Sequence, residues 1–62
     1  MNHEDIHVDQ SVTMTDLRLG RSEKAIVIRI AEPPFAWVKI QGGDRDSRIM
    51  AVGAGFLTER QP

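Results

Sequence analysis

Two runs of β-forming residues separated by a pair of prolines constrain this chain more than anything else in its sequence. Residues 24–30 read Lys-Ala-Ile-Val-Ile-Arg-Ile, with no glycine or proline to interrupt them. β-Branched side chains fit a pleated, half-buried surface, so the run predicts a strand. Ala31-Glu32-Pro33-Pro34 ends it, because proline has no N–H to donate to a ladder. Residues 35–41, Phe-Ala-Trp-Val-Lys-Ile-Gln, resume the alternation as a second strand, and Gly42-Gly43-Asp44 is a turn. Two strands joined this closely pair as an antiparallel hairpin.

The flanking segments extend the same architecture. Ile6, Val8, Val12 and Met14 fall on even positions, so a short strand is expected over about 11–15. Leu17-Arg18-Leu19-Gly20-Arg21-Ser22 reads as a turn or as one helical turn ending at Gly20. Residues 47–52 read as a third strand or as a short helix near 45–53 stopped by Gly53. Side chains alternate across a strand, so Ala36, Val38 and Ile40 are expected on one face of the second long strand. Ile26, Ile28 and Ile30 are expected to meet them as the core. The opposite face then carries Ala25, Val27 and Arg29 beside Phe35, Trp37, Lys39 and Gln41. The expected fold is mainly β: a small antiparallel meander, most simply an SH3-like barrel.

Size limits what such a sheet can do alone. With 62 residues and no cysteine, the chain is one marginal domain that no disulfide can staple. A homodimer, or docking on a larger protein, is the expected supplement. Apolar runs are no longer than Ala25 to Ile28, well short of a membrane span, and no signal-peptide pattern opens the chain. A cytoplasmic protein that does not insert into membranes is expected. The net charge of −1 hides an asymmetry: residues 1–16 carry four acids and no Lys or Arg, and the remainder is net basic. Residues 1–10 are therefore expected as a flexible acidic arm, and 11–62 as a single small β-rich domain.

Chemistry-bearing residues are sparse. There is no cysteine or tyrosine, and Ser11, Ser22 and Ser47 sit in turn-like contexts where a hydroxyl usually bonds to the backbone. No phosphate loop or paired-carboxylate motif is present. His3 lies third from the amino end, a position that suits Cu(II) or Ni(II), but neither it nor His7 sits in a pattern that gathers further ligands. No enzyme activity, cofactor or metal site is expected. Phe35, Trp37 and Lys39, at i, i+2 and i+4, project from one strand face, and Arg29 on the neighbouring strand can stack on Trp37. Trp and Arg are enriched at binding hot spots, so these four are the expected partner-binding residues. The same aromatics among Arg18, Arg21, Lys24, Arg45 and Arg48 have the ingredients of a single-strand nucleic-acid platform, stacking and phosphate neutralisation.

Thr15-Asp16-Leu17-Arg18-Leu19-Gly20, leading into Ala25-Ile26-Val27-Ile28-Arg29-Ile30, resembles the opening of the FeoA family, small SH3-like proteins of bacterial ferrous iron uptake. Arg48-Ile49-Met50-Ala51-Val52-Gly53 resembles that family's Arg-Leu-x-x-Leu-Gly segment. The two stretches cover less than half of the chain. The hairpin through Gln41 makes the spacing between them longer than the family's, and Gly55-Phe56 stands where the family has Pro-Gly. The resemblance implies a non-enzymatic accessory that docks on a transporter or regulator. The residues and the resemblance together predict an interaction module that regulates or assists a larger protein, with a small nucleic-acid-binding regulator as the alternative.

Overall fold

The structure, a computed structural model, describes residues 1–60. Its strands are β1 (Ser11–Asp16), β2 (Arg21–Ile30), β3 (Phe35–Ile40), β4 (Ile49–Gly53) and β5 (Leu57–Glu59). They form one antiparallel sheet in the order β4-β3-β2-β1-β5. Short 3-10 turns at His3–Asp5 and Ala54–Phe56 are the only helical elements among the described residues. The chain is thus mainly β, a five-stranded antiparallel meander, and no pairing joins β4 to β5 among the described residues.

Local chemistry sets the turns. Between β1 and β2, Asp16 Oδ1 accepts the N–H groups of Arg18 and Leu19, and the Gly20 N–H donates to Asp16 O. Gly20 closes the turn at φ +65°, a conformation that costs an L side chain about 1 kcal/mol. The short helix considered near 45–53 does not form. Residues 44–47 are turn, and 49–53 pair with β3, whose otherwise open edge offers the hydrogen bonds that an isolated helical turn would lack.

The core lies on one face of the sheet: Val12, Met14, Ala25, Val27, Ala36, Val38, Ile40 and Leu57, with Ala54 and Ile6, its two least covered members, at its borders. On β3 the expected face is the observed one. On β2 it is not. Ala25 and Val27 are fully buried, whereas Ile28 is 37% exposed and Ile26 only partly covered. The register explains the inversion: Ala25 pairs with Ile40 and Val27 with Val38, so each shares its partner's inward face. The ladder then slips by one residue between Val27 and Arg29, which leaves Ile28 as the extra residue of a bulge. Beyond the bulge the parity reverses, and Ile30 packs against the core while Arg29 faces out opposite Trp37.

Residues 1–10, expected as a loose acidic arm, are laid against the sheet. The N–H of Asp9 donates to Val27 O, and the N–H of Val27 to Gln10 O, which prolongs the β1–β2 ladder. Ile6 is buried in the core cluster. Gln10 is buried with both amide ends bonded, its Oε1 accepting the His7 N–H and its Nε2 donating to Glu59. The His3 ring reaches the hairpin, with Nε2 at 2.9 Å from Ala31 O and 3.0 Å from Phe35 O.

Candidate functional site

β3 has a burial pattern that alternates without exception, so Phe35, Trp37 and Lys39 all point away from the core. Phe35 is 48% and Trp37 39% exposed. The register places Trp37 between Arg29 on β2 and Ala51 on β4, and Lys39 between Ile26 and Ile49. Ile28 and Ile49, both exposed, extend the apolar area to either side of β3. Four of the chain's exposed large apolar side chains therefore share one surface, and the four residues expected to bind a partner lie on it.

The charges on this face have one sign. Lys24, Arg29 and Lys39 occupy its outward positions, and none of them makes an ion pair among the described residues. The acids of β1 and β2 lie at the other side of the sheet. There Arg45, reaching in from the β3–β4 loop, bonds through Nε to both carboxylate oxygens of Glu23, at 3.1 and 3.2 Å. Its Nη2 also contacts Glu23 and lies 3.2 Å from Asp16 Oδ2. Arg21 joins Glu23 to Asp44 on the same rim. The Arg45 guanidinium holds the Glu23 carboxyl below its ordinary range. The Asp16 carboxyl is lowered first by the Leu19 N–H and then by Arg45. Arg45 is raised in turn by its bond to Glu23.

This geometry divides the five basic residues considered for nucleic acid. Arg21 and Arg45 are committed to carboxylates. Lys24 stands on the outer face, Arg18 is in the β1–β2 turn, and Arg48 precedes β4. Neither histidine gathers further ligands: no group of three or more His, Cys, Asp or Glu could hold a metal among the described residues. Of the serines, Ser22 bonds to Thr15 and Ser47 to its neighbour Asp46.

One feature has no counterpart in the linear pattern. A groove of about 270 Å³ runs between Met14–Arg18 on one wall and Met50–Gly53 with Phe56 on the other. Its walls lie more than thirty residues apart in the chain. Leu17, at 73% exposure, and Phe56 are apolar residues inside turn segments, and that oddity is the signal that could have marked it. No helix among the described residues is long and apolar enough to cross a membrane. Comparison with family models, with curated proteins and with solved structures finds no match for this chain.

Proposed function

We propose that this protein is a small non-catalytic interaction module that assists or regulates a larger cytoplasmic protein, docking through the outer face of β2, β3 and β4. The observation that carries the reading is the exposure of Trp37 and Phe35 side by side, framed by Ile28 and Ile49 and by cations alone. Contiguous exposed apolar surface of this kind marks interaction sites, and a half-covered tryptophan beside an arginine has the composition of a hot spot. An acidic or neutral protein surface with an apolar centre is the complementary partner. In the absence of that partner the same face pairs two copies of the chain.

The strand order, with a 3-10 turn leading into β5 and β5 returning to β1, supports reading the sheet as an SH3-like barrel left open between its edge strands. That reading agrees with the resemblance to the FeoA family and with an accessory role at a transporter or regulator. The expected test is Trp37→Ala. The variant keeps the fold, since the indole is not in the core, but loses about 2 kcal/mol or more of binding to a partner captured by the parent chain. It also sediments as a monomer at concentrations where the parent is dimeric. A folded variant that binds and self-associates like the parent would remove the face from the argument.

A second reading, a nucleic-acid-binding regulator, is favoured by the absence of acids on this face. Phe35 and Trp37 supply stacking surfaces, and Lys24, Arg29 and Lys39 supply phosphate contacts. Titration with a single-stranded oligonucleotide separates the two. Nucleic-acid binding weakens steeply with salt because counterions are released, whereas an aromatic-centred protein interface changes little.

A further inference from the structure

The groove between β1 and β4 is bounded by backbone as well as by side chains. The Ile40 N–H donates to Arg48 O at 2.8 Å, and the Ala54 N–H donates to Pro34 O at 2.7 Å. Hydrogen-bonded residues alternate along an antiparallel ladder. The Arg48 carbonyl, the peptide groups of Met50 and Val52 and the Ala54 N–H therefore turn toward β3, and Ile49 and Ala51 turn their peptide groups to the open side. The opposite wall obeys the same rule. The Arg60 N–H donates to Ser11 O, so Ser11, Thr13 and Thr15 face β5, but β5 pairs only as far as Met14. The peptide groups of Thr15 are left facing the groove. Two unfinished strand edges thus look across one apolar channel.

Edge strands are normally blunted by charge, proline or a bulge. Ile49–Gly53 has none of these. The other edge of the sheet is managed: the Met1 amine donates to Leu57 O at 3.0 Å, and Gln10 holds the Glu59 carboxylate. Charge narrows what could fill the open side. Asp16, the one acid in the groove lining, is engaged by Arg45 and by two backbone N–H groups. Arg18 on the lining and Arg48 at the head of β4 form no ion pair among the described residues. The uncompensated charge at the groove is cationic. A second copy of the chain presenting its own edge would have to bring a whole sheet behind that strand, against Leu17 and Arg18. A single extended segment carries no such body.

We propose that this groove takes an extended, apolar segment of a partner protein flanked by acidic residues, added as a strand alongside β4. The segment bonds to the peptide groups of Ile49 and Ala51, seats alternate side chains against Leu17, Met50, Val52 and Phe56, and meets Arg18 and Arg48 with its carboxylates. Strand addition of this type takes affinity from the main chain and specificity from alternate side chains. The site borders the Trp37 face along β4, where Ile49 and Ala51 turn their side chains to that face and their peptide groups to the open edge, and neither reading depends on the other.

The test uses the full chain, isotope-labelled, and a short acetylated peptide alternating valine and threonine with glutamate at each end. The expected result is a saturable set of resonance shifts at Leu17, Ile49, Ala51 and Phe56, with slowed amide exchange at Ile49 and Ala51. Ala51→Pro removes an outward N–H that β3 does not use, and proline is tolerated at such a position. It is expected to weaken the peptide by about tenfold or more, the value of one lost hydrogen bond plus steric exclusion. Arg18→Glu, in an exposed turn, is expected to weaken it by at least about threefold without touching β4. Trp37→Ala is expected to leave peptide binding unchanged. Shifts centred on Phe35 and Trp37 would overturn the proposal, as would unchanged binding in Arg18→Glu. Protection of Ile49 and Ala51 that rises with protein concentration alone would also overturn it, because a second copy would then be the occupant.

Discussion

Val27 and Ile28 are adjacent β-branched residues that meet opposite environments. Val27 is fully buried against Val38, and Ile28 is the unpaired residue of the bulge. Val27→Asp is expected to unfold the domain, since a buried unpaired charge costs several kcal/mol against a total stability of about 5 kcal/mol for a chain this small. Ile28→Asp is expected to leave a dispersed NMR spectrum and a melting temperature within a few degrees of the parent. The hydrophobicity of the two residues gives the reverse order, because isoleucine is the larger apolar group. Alternation is legible in residues 24–30, but both faces of the run are apolar, so the sequence carries no mark of which face turns inward. Trp37 differs: its neighbours on β3 alternate cleanly, so its place on the face opposite Ala36, Val38 and Ile40 is legible, while its exposure depends on what the rest of the chain lays over that face.

At the scale of elements, the β1–β2 turn and the β3–β4 loop are tied together by Asp16, Glu23 and Arg45, an ion-pair cluster that persists only while the two carboxyls are ionised. Both carboxyls are held below their ordinary values of 3.8 and 4.5. A carboxyl lowered in the folded state contributes stability that is complete above its unfolded value and is lost as pH falls through the folded value. The melting temperature is therefore expected to hold near neutral pH and to fall once the pH drops below about 4. Arg45→Ala is expected to lower stability at neutral pH and to shrink that acid-dependent part, as thermal melts across the range would show. A melting profile of Arg45→Ala parallel to the parent's throughout would mean that the cluster is decorative. None of this was legible in the chain, where Arg45 reads as a free surface cation. Its partners lie more than twenty residues away, and only the tertiary fold brings them to its guanidinium.

For the molecule as a whole, residues 1–10 complete the core rather than trail from it. Ile6 is buried, the Gln10 amide bridges to Glu59, and the Asp9–Val27 and Gln10–Val27 bonds fasten the segment to the bulged part of β2. A sheet of this size has few layers to spare, so each covering residue matters. Ile6→Ala is expected to cost about 2 kcal/mol, the lower end for a core isoleucine because the site lies at the border of the cluster. Removing residues 1–8 is expected to cost more and to expose apolar surface, read as a lower denaturation midpoint. A truncated chain as stable as the parent would show that the segment contributes nothing to folding.

The linear pattern by itself determined that this protein is built of strands, where the prolines and glycines turn it, and which face of β3 looks outward, because propensity, turn chemistry and period-two alternation are local properties. Tertiary structure decided the rest: the inward face of β2, through pairing register and one bulged residue; strand over helix at 49–53, through the hydrogen bonds that β3 offers; the docking of the acidic N-terminal segment; the pairing of Arg45 with carboxylates; and the groove between β1 and β4. Each of these depends on groups far apart in the chain being brought within a few ångströms, and that proximity is a property of strand pairing and packing that no short stretch of sequence contains.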